Sequence, residues 1–136
     1  MTIQAREKIY YNGEEKFISS EPLKPFLQSN SDVNFIFKST ALVRGYIGSW
    51  KIKDNQLYLV ALLGFIENNE QVDINYLFPK QSEVFADWYS DSIIIPEGKL
   101  LSKINYELLY EKDIILDFEQ GKLIGEKIVK NTSPKI

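Results

Sequence analysis

The chain contains no cysteine and no histidine, one methionine and five prolines among its 136 residues. Without cysteine there is no disulfide, no thiolate metal site and no cysteine nucleophile. Without histidine, the usual general base near neutral pH and the commonest zinc ligand are both missing. A Ser-His-Asp hydrolase or a zinc enzyme is excluded, and a non-catalytic protein with no metal and no cofactor is the expectation. No apolar run approaches the roughly 20 residues of a membrane-spanning helix. The opening stretch MTIQAREKIYYNG carries charges where a secretory signal needs an apolar core, so a cytoplasmic protein without membrane contact is expected. A net charge of −3 argues against nucleic acid as a partner, because a phosphate backbone calls for a basic surface.

The charge that is present is unevenly spread. Between Glu67 and Asp91 stand Glu67, Glu70, Asp73, Glu83, Asp87 and Asp91 against Lys80 alone. After Gly121, four lysines face the single Glu126. The middle of the chain is its acidic pole, suited to a basic protein partner.

Turn signals followed by alternating residues run through the sequence, the pattern of antiparallel strands. Asn12-Gly13 is the preferred pair for a type I′ hairpin and sets Tyr11 opposite Glu14 and Ile9 opposite Lys16. SSEPLKPFLQSN reads as a two-turn helix with Ser20 as N-cap, tightened by Pro25, and VNFIF as a return to extended chain. In RGYIGSWKIKDNQLYLVALLGFI, Tyr46, Gly48, Trp50 and Ile52 share one strand face, Asp54-Asn55 turns, and the returning strand is apolar on both faces. Such a strand is expected at the centre of a sheet, covered on each side. Asp73 to Phe78 reads as one helical turn stopped by Pro79, in preference to a strand end, SEVFADWYS as an alternating strand, and SIIIPEGKLL as a strand stopped at Pro96 with Glu97-Gly98 as its turn. Ile114, Leu116 and Phe118 point inward in a closing hairpin turned at Gln120-Gly121. The expected fold is mainly β (α+β): a single domain over 1–136, fraying at 132–136. It is an antiparallel meander of about seven to nine strands forming a curved sheet, a partly open barrel or a sandwich, with one or two short helices.

RGYIGSWKIKD, FADWYS and YEKDIILDFEQGKLIGE together resemble a family of small bacterial proteins of unknown function, and the resemblance spans nearly the whole chain. Members of that family often carry Cys-Trp before the Arg-Gly-Tyr and a histidine ahead of the last hairpin. Here Ala41-Leu42-Val43 and SKINYELL occupy those places, so a role based on shape and surface is implied rather than a shared chemistry. In size and charge the chain is also similar to immunity proteins of bacterial toxin systems.

Two candidate sites follow. Glu83, Phe85, Asp87, Trp88, Tyr89 and Asp91 offer acids for a basic partner, such as a cognate toxin, and aromatics to anchor it. Against this, Asp87 pairs with a basic residue such as Arg44, and Asp91 caps the turn into SIII. Arg44, Tyr46 and Trp50 offer a pocket in which the rings stack on a small ligand and the guanidinium holds its anionic group. Against this, the three are core and strand-end residues of a curved sheet. A protein-binding domain of the immunity type, a ligand-binding β-barrel-like protein and a purely structural protein all stand at this point.

Overall fold

The computed structural model describes residues 4–30, 32–104 and 107–132. Strands β1 (Glu7–Tyr11) and β2 (Glu14–Ile18) form the first hairpin, with Asn12 and Gly13 at φ 50° and 80° and the expected register. Helix α1 (Lys24–Gln28) is a single turn with Pro25 near its start. Its N-cap is Leu23, with no side-chain cap, so Ser20 is not the capping residue. Ser20 serves the sheet instead: its hydroxyl accepts from the Ile94 N–H at 3.1 Å.

The chain returns as β3 (Tyr46–Lys53) and β4 (Gln56–Ile66), joined at Asp54-Asn55 with φ 52° and 59°. VNFIF, expected to be extended strand, joins no ladder; Ile36 N–H makes one bond, to the Phe65 carbonyl at 2.9 Å. Gly45 lies under that segment with φ +79°, where a Cβ would stand 1.9 Å from the Ile36 carbonyl oxygen. β4 reads apolar on both faces because its register shifts between Ser49 and Trp50 of β3. Ser49 faces Ala61 while Trp50 faces Leu59, leaving Val60 as the extra residue of a bulge. Leu57 and Leu59 point into the core before the bulge and Leu62 after it. Tyr58, Val60, Ala61 and Leu63 therefore lie on the other face. β4 is central as expected, but that second face is open: Ala61 and Leu63 are exposed.

A 3-10 turn (Glu67–Asn69), β5 (Glu70–Val72) and the helical turn α2 (Ile74–Leu77) come next. The Asp73 carboxylate caps α2, accepting from Asn75 N–H at 3.0 Å. SEVFADWYS is not a continuous strand. β6 is only Val84–Phe85, after which the chain turns through Asp87 and Trp88, with Tyr89 N–H donating to the Ala86 carbonyl at 3.1 Å. β7 (Ser92–Ile104) does not stop at Pro96; Gly98, at φ +86°, sits in a bulge against β8 (Glu107–Glu119). The last turn, Gln120-Gly121 at φ 48° and 79°, leads into β9 (Lys122–Lys130). The tail expected over 132–136 lies outside the described residues beyond Thr132.

Among the described residues the strands form one nine-stranded sheet in the order β2-β1-β3-β4-β9-β8-β7, with β5 and β6 also pairing with β4. Its pairs are antiparallel apart from β1 with β3, which run parallel because the long connection through α1 crosses over. The sheet is curved and not closed, yet its edges meet. Ser19 N–H donates to the Ile94 carbonyl at 3.0 Å, and Lys16 of β2 forms an ion pair with Glu97 of β7. That pair raises the Lys16 pKa and lowers that of Glu97. Inside the curve lie Ile9, Ile18, Trp50, Leu57, Leu59, Ile93, Ile95 and Leu116, all essentially inaccessible.

Candidate functional site

Arg44, Tyr46 and Trp50 come together, but around a group of the protein itself. Glu7 is 1% exposed and projects inward from β1 beside Ile9 and Tyr11. One of its carboxylate oxygens accepts from Trp50 Nε1 at 2.8 Å; the other accepts from Gly48 N–H at 2.8 Å and Arg44 Nη2 at 3.1 Å. Arg44 also donates to the Ala5 carbonyl at 2.9 Å, lies 3.6 Å from Glu21, and stacks over Tyr46 with its guanidinium carbon 5.3 Å from the ring centre. Trp50 is 1% exposed and Tyr46 is buried. The place that Arg44 was expected to keep for a ligand's anionic group is taken by Glu7, and the Trp50 ring expected to stack on that ligand is buried.

The glycine of this motif has a physical reason. A Cβ on Gly48 would sit 2.9 Å from the Glu7 carboxylate and 3.0 Å from Trp50 Nε1, so only glycine leaves the carboxylate its place. Burial raises the Glu7 pKa above its ordinary 4.5, opposed by the Gly48, Trp50 and Arg44 donors. Glu7 escaped the sequence reading, although its alternation with Ile9 and Tyr11 was the signal that placed it inward. Arg44 consequently pairs with Glu7 and Glu21, not with Asp87.

The second candidate, Glu83 to Asp91, is divided by its aromatics. Trp88 is half-buried: its Nε1 donates to the Pro22 carbonyl at 2.8 Å, and its ring stacks on Phe78 at 5.8 Å and leans on Phe26 at 5.0 Å. Tyr89 is buried against Phe118, its hydroxyl donating to the Ser92 carbonyl. Phe85 packs on Tyr58 at 5.8 Å. These rings fasten the turn, while Glu83, Asp87 and Asp91 stand exposed around it. Asp91 caps the turn into β7, accepting from Ser92 N–H at 2.7 Å.

The rest of the acidic pole sits farther along β4. β6 pairs with Tyr58 and Leu59, whereas β5 pairs with Gly64 to Ile66, a separation of roughly 17 Å at the usual strand rise. Glu67, Glu70 and Asp73 therefore gather at one station and Glu83, Asp87 and Asp91 at another, on one edge of β4. All six are exposed, and among the described residues only Glu83 has an ion-pair partner, Lys51 at 3.4 Å. Tyr76, 42% exposed and missed by the sequence reading, stands on α2 just after Asp73, its ring 6.2 Å from that of Phe35.

The buried phenols predict how the fold meets alkali. Burial, then the Glu126 carboxylate that its hydroxyl touches, pushes the Tyr11 pKa from 10.0 up to about 12. Burial raises Tyr46 and Tyr89 as well. Each phenol holds its proton more tightly folded than unfolded. Its contribution is fully present below the unfolded value of about 10 and is lost as pH rises through the folded one. Urea midpoints should fall steeply above about pH 10, with roughly 2–3 kcal/mol of the loss due to Tyr11 and absent in Tyr11→Phe.

No protein-family model, curated protein or solved structure matches this chain. Function is therefore read from the geometry alone.

Proposed function

We propose that this protein is a non-catalytic binding domain that covers the cationic surface of a basic protein partner, acting in the cytoplasm as an immunity protein that neutralises a bacterial toxin. The observation that carries the proposal is the edge of β4, where six exposed carboxylates occupy two stations and only Glu83 is neutralised among the described residues. Exposed carboxylates whose charge no neighbouring cation offsets attract cations at long range and align an approaching basic protein. Tyr76, three residues after Asp73, and the accessible part of Trp88, next to Asp87, supply apolar anchors.

The test is a growth assay in which the product of the neighbouring gene is expressed with and without this protein. Wild type should restore growth, and the triple variant Glu67→Lys, Glu70→Lys, Asp87→Lys should not. None of those three side chains holds a hydrogen bond or ion pair among the described residues, so the fold should survive. With purified proteins, association should slow at least about tenfold in the triple variant and also with added salt. Binding that ignores both reversal and salt would end this reading.

A further inference from the structure

A different surface carries a different inference. The outer face of the first hairpin presents Lys8, Tyr10, Glu15 and Phe17, with Lys8 opposite Phe17 and Tyr10 opposite Glu15 across the ladder. All four are accessible: Tyr10 is 51% and Phe17 55% exposed, and the side chains of Lys8 and Glu15 are 44% and 63% exposed. They form a checkerboard about 5 Å by about 7 Å, with aromatics on one diagonal and opposite charges on the other. Within one chain Lys8 reaches Glu15 at 3.3 Å and lies 5.8 Å from the centre of the Phe17 ring. The face runs on across β3 and β4 to the exposed Ala61 and Leu63, past a cleft of about 370 Å³ beside Lys51, Val60 and Glu83.

We propose that this face is a homodimer interface, its occupant a second copy of the same chain. Two lysines, Lys8 and Lys51, balance two glutamates, Glu15 and Glu83, so the face favours neither a basic nor an acidic partner. It does complement itself. A two-fold axis along the aromatic diagonal sets Tyr10 on Tyr10 and Phe17 on Phe17, and brings Lys8 of each copy over Glu15 of the other. The Lys8–Glu15 contact between copies occurs twice, and two half-exposed rings per copy leave water. Only Glu83 is common to this face and the acidic edge, and none of the substitutions that test the dimer touches it.

Sedimentation equilibrium of the full chain over a concentration series tests this, with far-ultraviolet circular dichroism confirming the fold of each variant. Wild type should dimerise and Phe17→Asp should be monomeric. Lys8→Glu should raise the dissociation constant at least about tenfold by facing Glu15 with a like charge. The exchange Lys8→Glu with Glu15→Lys should restore it. A wild type that stays monomeric up to about 0.1 mM overturns the proposal, as does a dimer that neither Phe17→Asp nor Lys8→Glu weakens.

Discussion

Glu7→Ala is expected to destabilise the protein by about 3–5 kcal/mol, a large part of the roughly 5–15 kcal/mol that holds a domain of this kind. The loss does not come from an apolar contact. Removing the carboxylate leaves the Arg44 guanidinium, the Gly48 N–H and the Trp50 indole N–H without the acceptor they share. Glu7→Gln should also destabilise, by about 1–3 kcal/mol, because one end of its amide would present N–H groups to donors. The pH dependence reports a second property of the site, the cost of burying the carboxylate charge, which outweighs the Gly48, Trp50 and Arg44 donors. The raised Glu7 pKa means that the folded state binds the proton more tightly than the unfolded chain. Its contribution is fully present below 4.5 and is lost as pH rises through the folded value. The stability gap between wild type and Glu7→Ala should therefore widen as pH falls through that window. Urea titrations of both proteins across mildly acidic pH would measure it, and a constant gap would contradict the assignment.

The same residue marks where sequence reasoning stops. Asn12-Gly13, Asp54-Asn55 and Gln120-Gly121 were legible as hairpin turns because their chemistry is local: each pair adopts positive φ, which few other pairs tolerate. Glu97-Gly98 shows the limit of that logic. Its glycine also has positive φ, but a turn and a bulge make the same local demand, and the pairing of Leu100 to Ile104 with β8 decides between them. VNFIF has strand composition and finds no ladder: β3 occupies β4 only as far as Gly64, and beyond it VNFIF makes a single bond, from Ile36 N–H to the Phe65 carbonyl, because Phe65 N–H is taken by Gly45. Val60 likewise becomes a bulge only through its partner strand, which is why one face of β4 is open where a covered one was expected. In the candidate sites, the exposure of Glu83, Asp87 and Asp91 agreed with their charge. The roles of Arg44 and Trp50 turned on a carboxylate far away in sequence, and composition does not announce such a partner.

Gly45→Ala is expected to be the more damaging of two matched glycine substitutions, and the comparison measures what close backbone approach is worth. Gly13 and Gly45 have nearly the same φ, +80° and +79°, a conformation that costs an alanine about 1 kcal/mol. Around Gly13 a new Cβ would find no atom within 4 Å. At Gly45 it would lie 1.9 Å from the Ile36 carbonyl oxygen and 2.8 Å from its carbon, both backbone atoms that cannot rotate away. Relief requires moving the segment at Ile36, whose N–H bonds the Phe65 carbonyl, or Gly45 just ahead of β3, whose carbonyl accepts from Phe65 N–H. Either shift breaks a 2.9 Å hydrogen bond to Phe65 and disturbs Arg44, the preceding residue, at its contact with Glu7. Gly13→Ala should thus lower stability by about 1 kcal/mol, and Gly45→Ala by roughly 3 kcal/mol or more. Denaturant midpoints measured side by side give the difference directly. Equal losses would mean that the Ile36 segment moves aside freely, and that the glycine following Arg44 is required for its φ alone.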